Sequence, residues 1–102
     1  MTNINQLKQI AVEIFAECEK ILIAKNHDYS DADDVFSNFK ESGAVANVTP
    51  AQVALIQIGN KMSRLSQLIG QGKEPVNEST RDTIIDMINY LVLLKGILDE
   101  NK

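Results

Sequence analysis

The sequence predicts an all-α fold, a small bundle of three long helices with room for short helical turns, and three observations predict it. Apolar residues recur at alternating spacings of three and four in three segments, the period of a helix face. Two of those segments open with N-terminal capping signals. Between the segments lie polar, turn-forming stretches that break the period.

The first helix is expected over residues 3–25. Asn3 with Gln6 forms a capping-box pattern, and Ile4, Leu7, Ala11, Ile14, Cys18 and Ile21 then form one stripe, widened by Ile10, Phe15 and Leu22. Cys18 reads as a small buried hydrophobe on that stripe. Glu13 and Glu17 stand one turn apart at its edge, as a solvated flank or as members of a site. Residues 25–48 then read as a long polar connection with a short helical turn, pinned by Phe36 and Phe39.

Thr49, Pro50 and Gln52 start the second helix as N-cap, first helical residue and capping-box partner. It is expected to run to about Ile69, with Gly70 able to end it. Ile58, Met62, Leu65 and Ile69 should face the core, leaving Gln57, Asn60, Lys61, Arg64 and Gln67 as a polar face. After a loop at 71–75, a third long helix begins at about Asn77 or Ser79 and reaches Leu98.

The chain has 102 residues, enough for one domain over 1–102 and too few for two. Such a domain has a modest core, and completing the bundle by homo-oligomerisation would enlarge it. A net charge of −4 argues against a nucleic-acid polymer as partner, which would need a basic face. A small nucleotide stays open, because Mg²⁺ and a few local cations can offset its charge. One cysteine excludes an internal disulfide and one histidine excludes a multi-histidine zinc site. No signal segment and no apolar run long enough to span a membrane is evident, so a cytoplasmic protein is expected.

The third helix carries the chemistry. Glu78, Asp82, Asp86 and Asn89 fall within roughly 80° of one another on a helix, while apolar residues cover most of its remaining circumference. Such a helix should be buried nearly all round, with one acidic window. Two explanations compete for the window. It is the solvated side, with acids favoured near the positive helix N-terminus, or it is half of a divalent cation site. Carboxylates one turn apart repel each other, and a hard cation such as Mg²⁺ reverses that cost. Lys25, Lys61 and Arg64 are either surface cations or phosphate holders facing the same cleft. The absence of a GxxxxGK[ST] loop excludes a P-loop nucleotide fold.

Taken together, four motifs resemble a known family. Lys25-x-x-Asp28-Tyr29, Phe36-x-Asn38-Phe39, Asn60-Lys61-x-x-Arg64-Leu65 and Glu78-Ser79-x-x-Asp82-Thr83-x-x-Asp86-x-x-x-Tyr90 follow in that order across residues 25–90. They look like the short phage and bacterial nucleotide modification associated domains, which group with the all-α nucleoside triphosphate pyrophosphatases (MazG-like proteins and dimeric dUTPases). The resemblance implies a helical bundle that forms dimers or tetramers, a nucleotide ligand, and a Mg²⁺ site. It implies Glu78, Asp82 and Asp86 as metal ligands, with Asp82, Asp86 and Lys61 in catalysis. Lys25, Asp28, Tyr29, Asn38, Asn60, Lys61 and Arg64 are implied in substrate binding. The family carries Asp where this chain has Asn60, which removes a charge and a possible base. The loop also has Ser30 where Gly is usual.

Three readings follow. The first is a Mg²⁺-dependent nucleotide pyrophosphohydrolase of phage or prophage type, acting in the bacterial cytoplasm. The second is a nucleotide-binding module that does not cleave, a sensor or sponge. The third is a purely structural helical oligomer.

Overall fold

In the computed structural model, which describes residues 1–29, 33–72 and 79–101 (of Asp28 and Tyr29 the backbone only), the chain forms four helices. These are α1 (Ile4–Tyr29), α2 (Ser37–Ala46), α3 (Pro50–Gly70) and α4 (Thr80–Glu100), and no strand occurs among the described residues. No helix there is long and apolar enough to cross a membrane.

The helix starts follow the local code. Asn3 and Gln6 exchange reciprocal side-chain bonds of 2.8 and 2.9 Å with each other's backbone N–H. Thr49 and Gln52 repeat the arrangement ahead of Pro50. Ser79 caps α4, with Asp82 as its partner.

The connection expected over 25–48 is more ordered than its composition suggests. Helix α1 continues to Tyr29, beyond the expected end at residue 25. Its last turns are held by polar reach rather than apolar periodicity: the Asn26 amide donates to the Val35 carbonyl at 3.0 Å, and Lys25 reaches α4. A full ten-residue helix, α2, replaces the expected short turn. Its buried face is only Phe39 and Gly43, too small a signal for periodicity to detect. A Cβ on Gly43 would lie 2.7 Å from the Val48 carbonyl oxygen, so the chain can double back onto α3 only with glycine there. Asn47, at φ 59°, terminates the helix in the left-handed conformation. Phe36 and Phe39 do pin this region: Phe39 shares a core with Ala54 and Ile97. The Phe36 ring lies so close to Gly96 that an added Cβ would come within 2.6 Å of it.

Helix α4 is the centre of the molecule, with α1 and α3 packed along it and α2 against α3. Ion pairing of Lys61 with Asp86, and the Ala54–Ile97 contact, make α3 antiparallel to α4. Cys18 lies near Arg81, while Asn26 shares a cavity wall with Tyr90 and Leu93, so α1 runs in the same direction as α4.

Two expectations about faces are corrected. On α3 the expected core stripe is turned outward at Met62 and Ile69, which are 53% and 67% exposed. The face directed at α4 carries buried Ala54 and half-buried Gln57, Lys61 and Arg64. Small and cationic side chains fit a central helix whose own inward face is acidic. Nor is α4 buried nearly all round, because its two neighbours leave Ile84, Leu91 and Leu98 exposed along one line. Ile4, Leu7, Ile10 and Phe15 on the first turns of α1 are exposed too. The accessible area, 7391 Å², exceeds by roughly 1,700 Å² what a compact monomer of this mass presents.

Candidate functional site

Helix α4 delivers its polar residues in order, one turn after another. Asp82 lies at the start. Its backbone N–H donates to Ser79 Oγ at 3.0 Å, and its carboxylate accepts a longer bond, 3.4 Å, from the Ser79 N–H. Thr83, fully buried, returns its hydroxyl proton to the Ser79 carbonyl at 3.0 Å. This first turn is closed on itself, although the Asp82 carboxylate remains exposed.

One turn further, Asp86 has a different environment. Its side chain is only 14% exposed and is gripped from both sides: Lys25 Nζ of α1 lies 3.0 Å from Oδ1, and Lys61 Nζ of α3 lies 3.0 Å from Oδ2. A carboxylate that accepts from an ammonium on each oxygen is strongly held. The arrangement joins three helices at one point. It also brings together three residues, from separate motifs, that sequence had nominated individually. The acidic window therefore faces the interior at Asp86, while Asp82 lies at the solvent surface.

Two recesses meet at the Lys25–Asp86 pair. One, of about 360 Å³, is lined by Ile21, Lys25, Asp82, Ile85 and Asp86. The other, of about 190 Å³, is lined by Leu22, Asn26, Asn38, Phe39, Asn89, Tyr90 and Leu93 together with the same pair. Phe39 and Tyr90 meet edge to face in its wall, with ring centroids 6.4 Å apart. Asn38 lines the second recess. Arg64 is half-buried one turn beyond Lys61, and Asn60 is exposed beside it. Glu78 and the side chains of Asp28 and Tyr29 lie outside the described residues. Glu13 is exposed and accepts a bond from Gln9.

Mg²⁺ is commonly held by one or two carboxylates, with waters and substrate phosphates completing its shell. Asp82 and Asp86 line one recess, and this donor set fits that requirement. A protein cage of three or more acidic, His or Cys side chains does not occur among the described residues.

Sequence reasoning passed over Asn26, Phe39 and Asn89 as site residues. Asn89 had a usable signal: an amide in an otherwise apolar run, one turn beyond Asp86 on the same face.

A family model described as nucleotide modification associated domain 1 matches residues 25–95. No curated protein and no solved structure matches the chain.

Proposed function

The chain belongs to the nucleotide modification associated domain 1 family, and from that premise we propose that it is a Mg²⁺-dependent nucleoside triphosphate pyrophosphohydrolase, releasing monophosphate and pyrophosphate. The observation that carries this reading is the double grip on Asp86 by Lys25 and Lys61. Two converging ammonium groups with an anion between them form a site for phosphate oxygens, and Asp86 fills the anion's place within the chain. An entering triphosphate takes over the lysines' hydrogen bonds and frees the Asp86 oxygens. Lys61 and Lys25 then hold phosphate, with Arg64 on the same face of α3. Freed beside Asp82, Asp86 completes a carboxylate pair for Mg²⁺, with Glu78 as a further candidate ligand. The ion would supply neutralisation of phosphate charge and Lewis-acid polarisation. On this reading Asp82, Asp86 and Lys61 carry catalysis, and Lys25, Asp28, Tyr29, Asn38, Asn60 and Arg64 serve binding.

A specific observation favours a second reading, nucleotide binding without turnover. Asn60 puts an uncharged amide beside Lys61 where the resembled proteins have Asp, and the described donor set is a carboxylate pair rather than a larger cage. One experiment separates the two readings. The protein is incubated with a panel of nucleoside triphosphates and Mg²⁺, pyrophosphate is measured, and melting temperature is recorded alongside. Release that disappears in Asp86→Ala supports the hydrolase. A ligand-induced thermal shift without release, with activity gained in Asn60→Asp, supports the binder. No response to any nucleotide sinks both and leaves a structural oligomer.

Self-association completes the reading. The open lines on α1, α3 and α4, and an area excess about twice the roughly 800 Å² that each partner gives to a standard protein–protein interface, support a homo-oligomer that covers these faces. Light scattering of the purified protein tests this, and a monomer at all concentrations would refute it.

A further inference from the structure

Within the smaller recess, Asn89 is 7% exposed and its Oδ1 is buried with no hydrogen-bond partner among the described residues. Leaving a buried acceptor unsatisfied costs about 1–3 kcal/mol, and native structures rarely retain such a group without a use for it. Around it are surfaces suited to an aromatic ring: the Phe39 and Tyr90 rings, the apolar Leu22 and Leu93, and the amide-bearing Asn26 and Asn38. Its volume, about 190 Å³, is below the roughly 300–1,000 Å³ of pockets that take a whole drug-sized ligand. It suits a single ring system, with the rest of the ligand lying outside. Lys25 and Asp86 line this recess and the neighbouring one alike.

We propose that this recess is a nucleobase subsite and that Asn89 is its reading residue, accepting a ring N–H or exocyclic amine proton from the base edge. The proposal rests on the nucleotide reading above and adds a direction to it. Base in the Asn89 recess and phosphates at the lysines place the ligand along α4, from Tyr90 and Asn89 at the base end to Asp86 and Asp82 at the phosphate end. Phe39 and Tyr90 offer ring contacts to any base, and the Asn89 amide discriminates among them, because a buried hydrogen-bonding group rejects ligands that leave it unpaired.

The test separates the two ends of the ligand. ¹⁵N-labelled protein is titrated with free nucleosides (adenosine, guanosine, cytidine, uridine and thymidine) and, separately, with inorganic tripolyphosphate. At least one nucleoside is expected to shift the Asn89 side-chain amide signals. Asn89→Leu, of similar volume, should weaken that nucleoside about tenfold or more, leave tripolyphosphate affinity unchanged, and raise the melting temperature. Absence of any nucleoside-induced shift at Asn89 overturns the proposal. Equal nucleoside affinity in Asn89→Leu, or a lowered melting temperature marking a structural role, also overturns it. Nucleoside binding at Asn89 without tripolyphosphate binding would instead refute the phosphate site and leave the base subsite standing.

Discussion

The first turn of α4 and the turn that follows it use the same residue types to opposite ends. In the first, Ser79, Asp82 and Thr83 satisfy one another and the local backbone, within a span of four residues. In the second, Asp86 is held by residues 61 and 25 positions away in sequence, and Asn89 Oδ1 has no hydrogen-bond partner among the described residues. Local satisfaction makes a helix start, and it would do so on any helix. Distant satisfaction needs the whole bundle, so a polar group maintained that way inside an apolar helix indicates a site. The pair of acids that looked equivalent by spacing is therefore two different things, a partly structural Asp82 and a converging Asp86.

The strongest way to break this contrast is Asp86→Ala. It removes the carboxylate that pairs with half-buried Lys61 and with Lys25, and it should lower unfolding free energy by about 2 kcal/mol. Urea denaturation measures the loss, and an unchanged midpoint would mean that the three-helix junction contributes nothing to the fold. The Mg²⁺-dependent part of the stabilisation by added nucleoside triphosphate should disappear in the variant.

Ser79→Ala tests the other turn. Loss of the N-cap should cost about 1 kcal/mol in the same assay, while ligand-induced thermal shifts stay as in the parent chain. A weakened ligand response in Ser79→Ala would show that the two turns are functionally coupled.

Lys25→Met and Lys61→Met sharpen the comparison within the second turn. The Lys25 side chain is 56% exposed and that of Lys61 22%. An exposed ion pair contributes about 0.2–1 kcal/mol, and Lys25→Met should fall at the lower end of that range. Lys61→Met should have the larger effect on stability. Both should weaken triphosphate binding, measured by calorimetry with inorganic tripolyphosphate, because each removes one arm of the grip.

What could be read from the sequence follows the same division. The capping boxes at Asn3 and Thr49 were legible because each partner lies within three residues; the one at Ser79 is equally local, but Asp82 was read for its charge and not as a cap partner. Asp86, Lys61 and Lys25 were legible as motif members, but their convergence was not, since it depends on how α1 and α3 lie against α4. The facing of α3 was misjudged for a related reason. Periodicity identifies an apolar stripe and assumes that it points inward, yet in this chain Met62 and Ile69 face outward while Lys61 and Arg64 face the site. Helix α2 was legible only as a short helical turn, because Phe39 and Gly43 present too little apolar surface to register as a stripe. Asn89 was visible as an amide in an apolar run, but only its burial distinguishes it from a solvated one.

The smallest expected effect concerns a polar cluster outside both turns. Lys40 Nζ lies 2.7 Å from Asp34 Oδ2 and 2.7 Å from Glu100 Oε1, tying the segment before α2 to the end of α4. The hydrogen bond from Lys40, and then that from the Phe36 N–H, hold the Asp34 carboxyl below its ordinary value. The bonds to Asp34 and Glu100 hold Lys40 above its own. A lowered carboxylate contributes stability that is full above its unfolded pKa, about 3.9, and that is lost as pH falls through the folded value. A raised lysine contributes below its unfolded pKa, about 10.4, and its contribution is lost as pH rises through the folded value. The tie is therefore intact between those limits and releases first on the acid side. The Phe36 amide resonance, followed from pH 6 downward, should titrate with a midpoint below that of an ordinary aspartate, and Lys40→Met should move the midpoint back up. An ordinary midpoint in the parent chain would show the cluster to be solvated and slack. The effect on global stability should be small in either case, because all three groups stand at the surface, where water competes for every bond that they make.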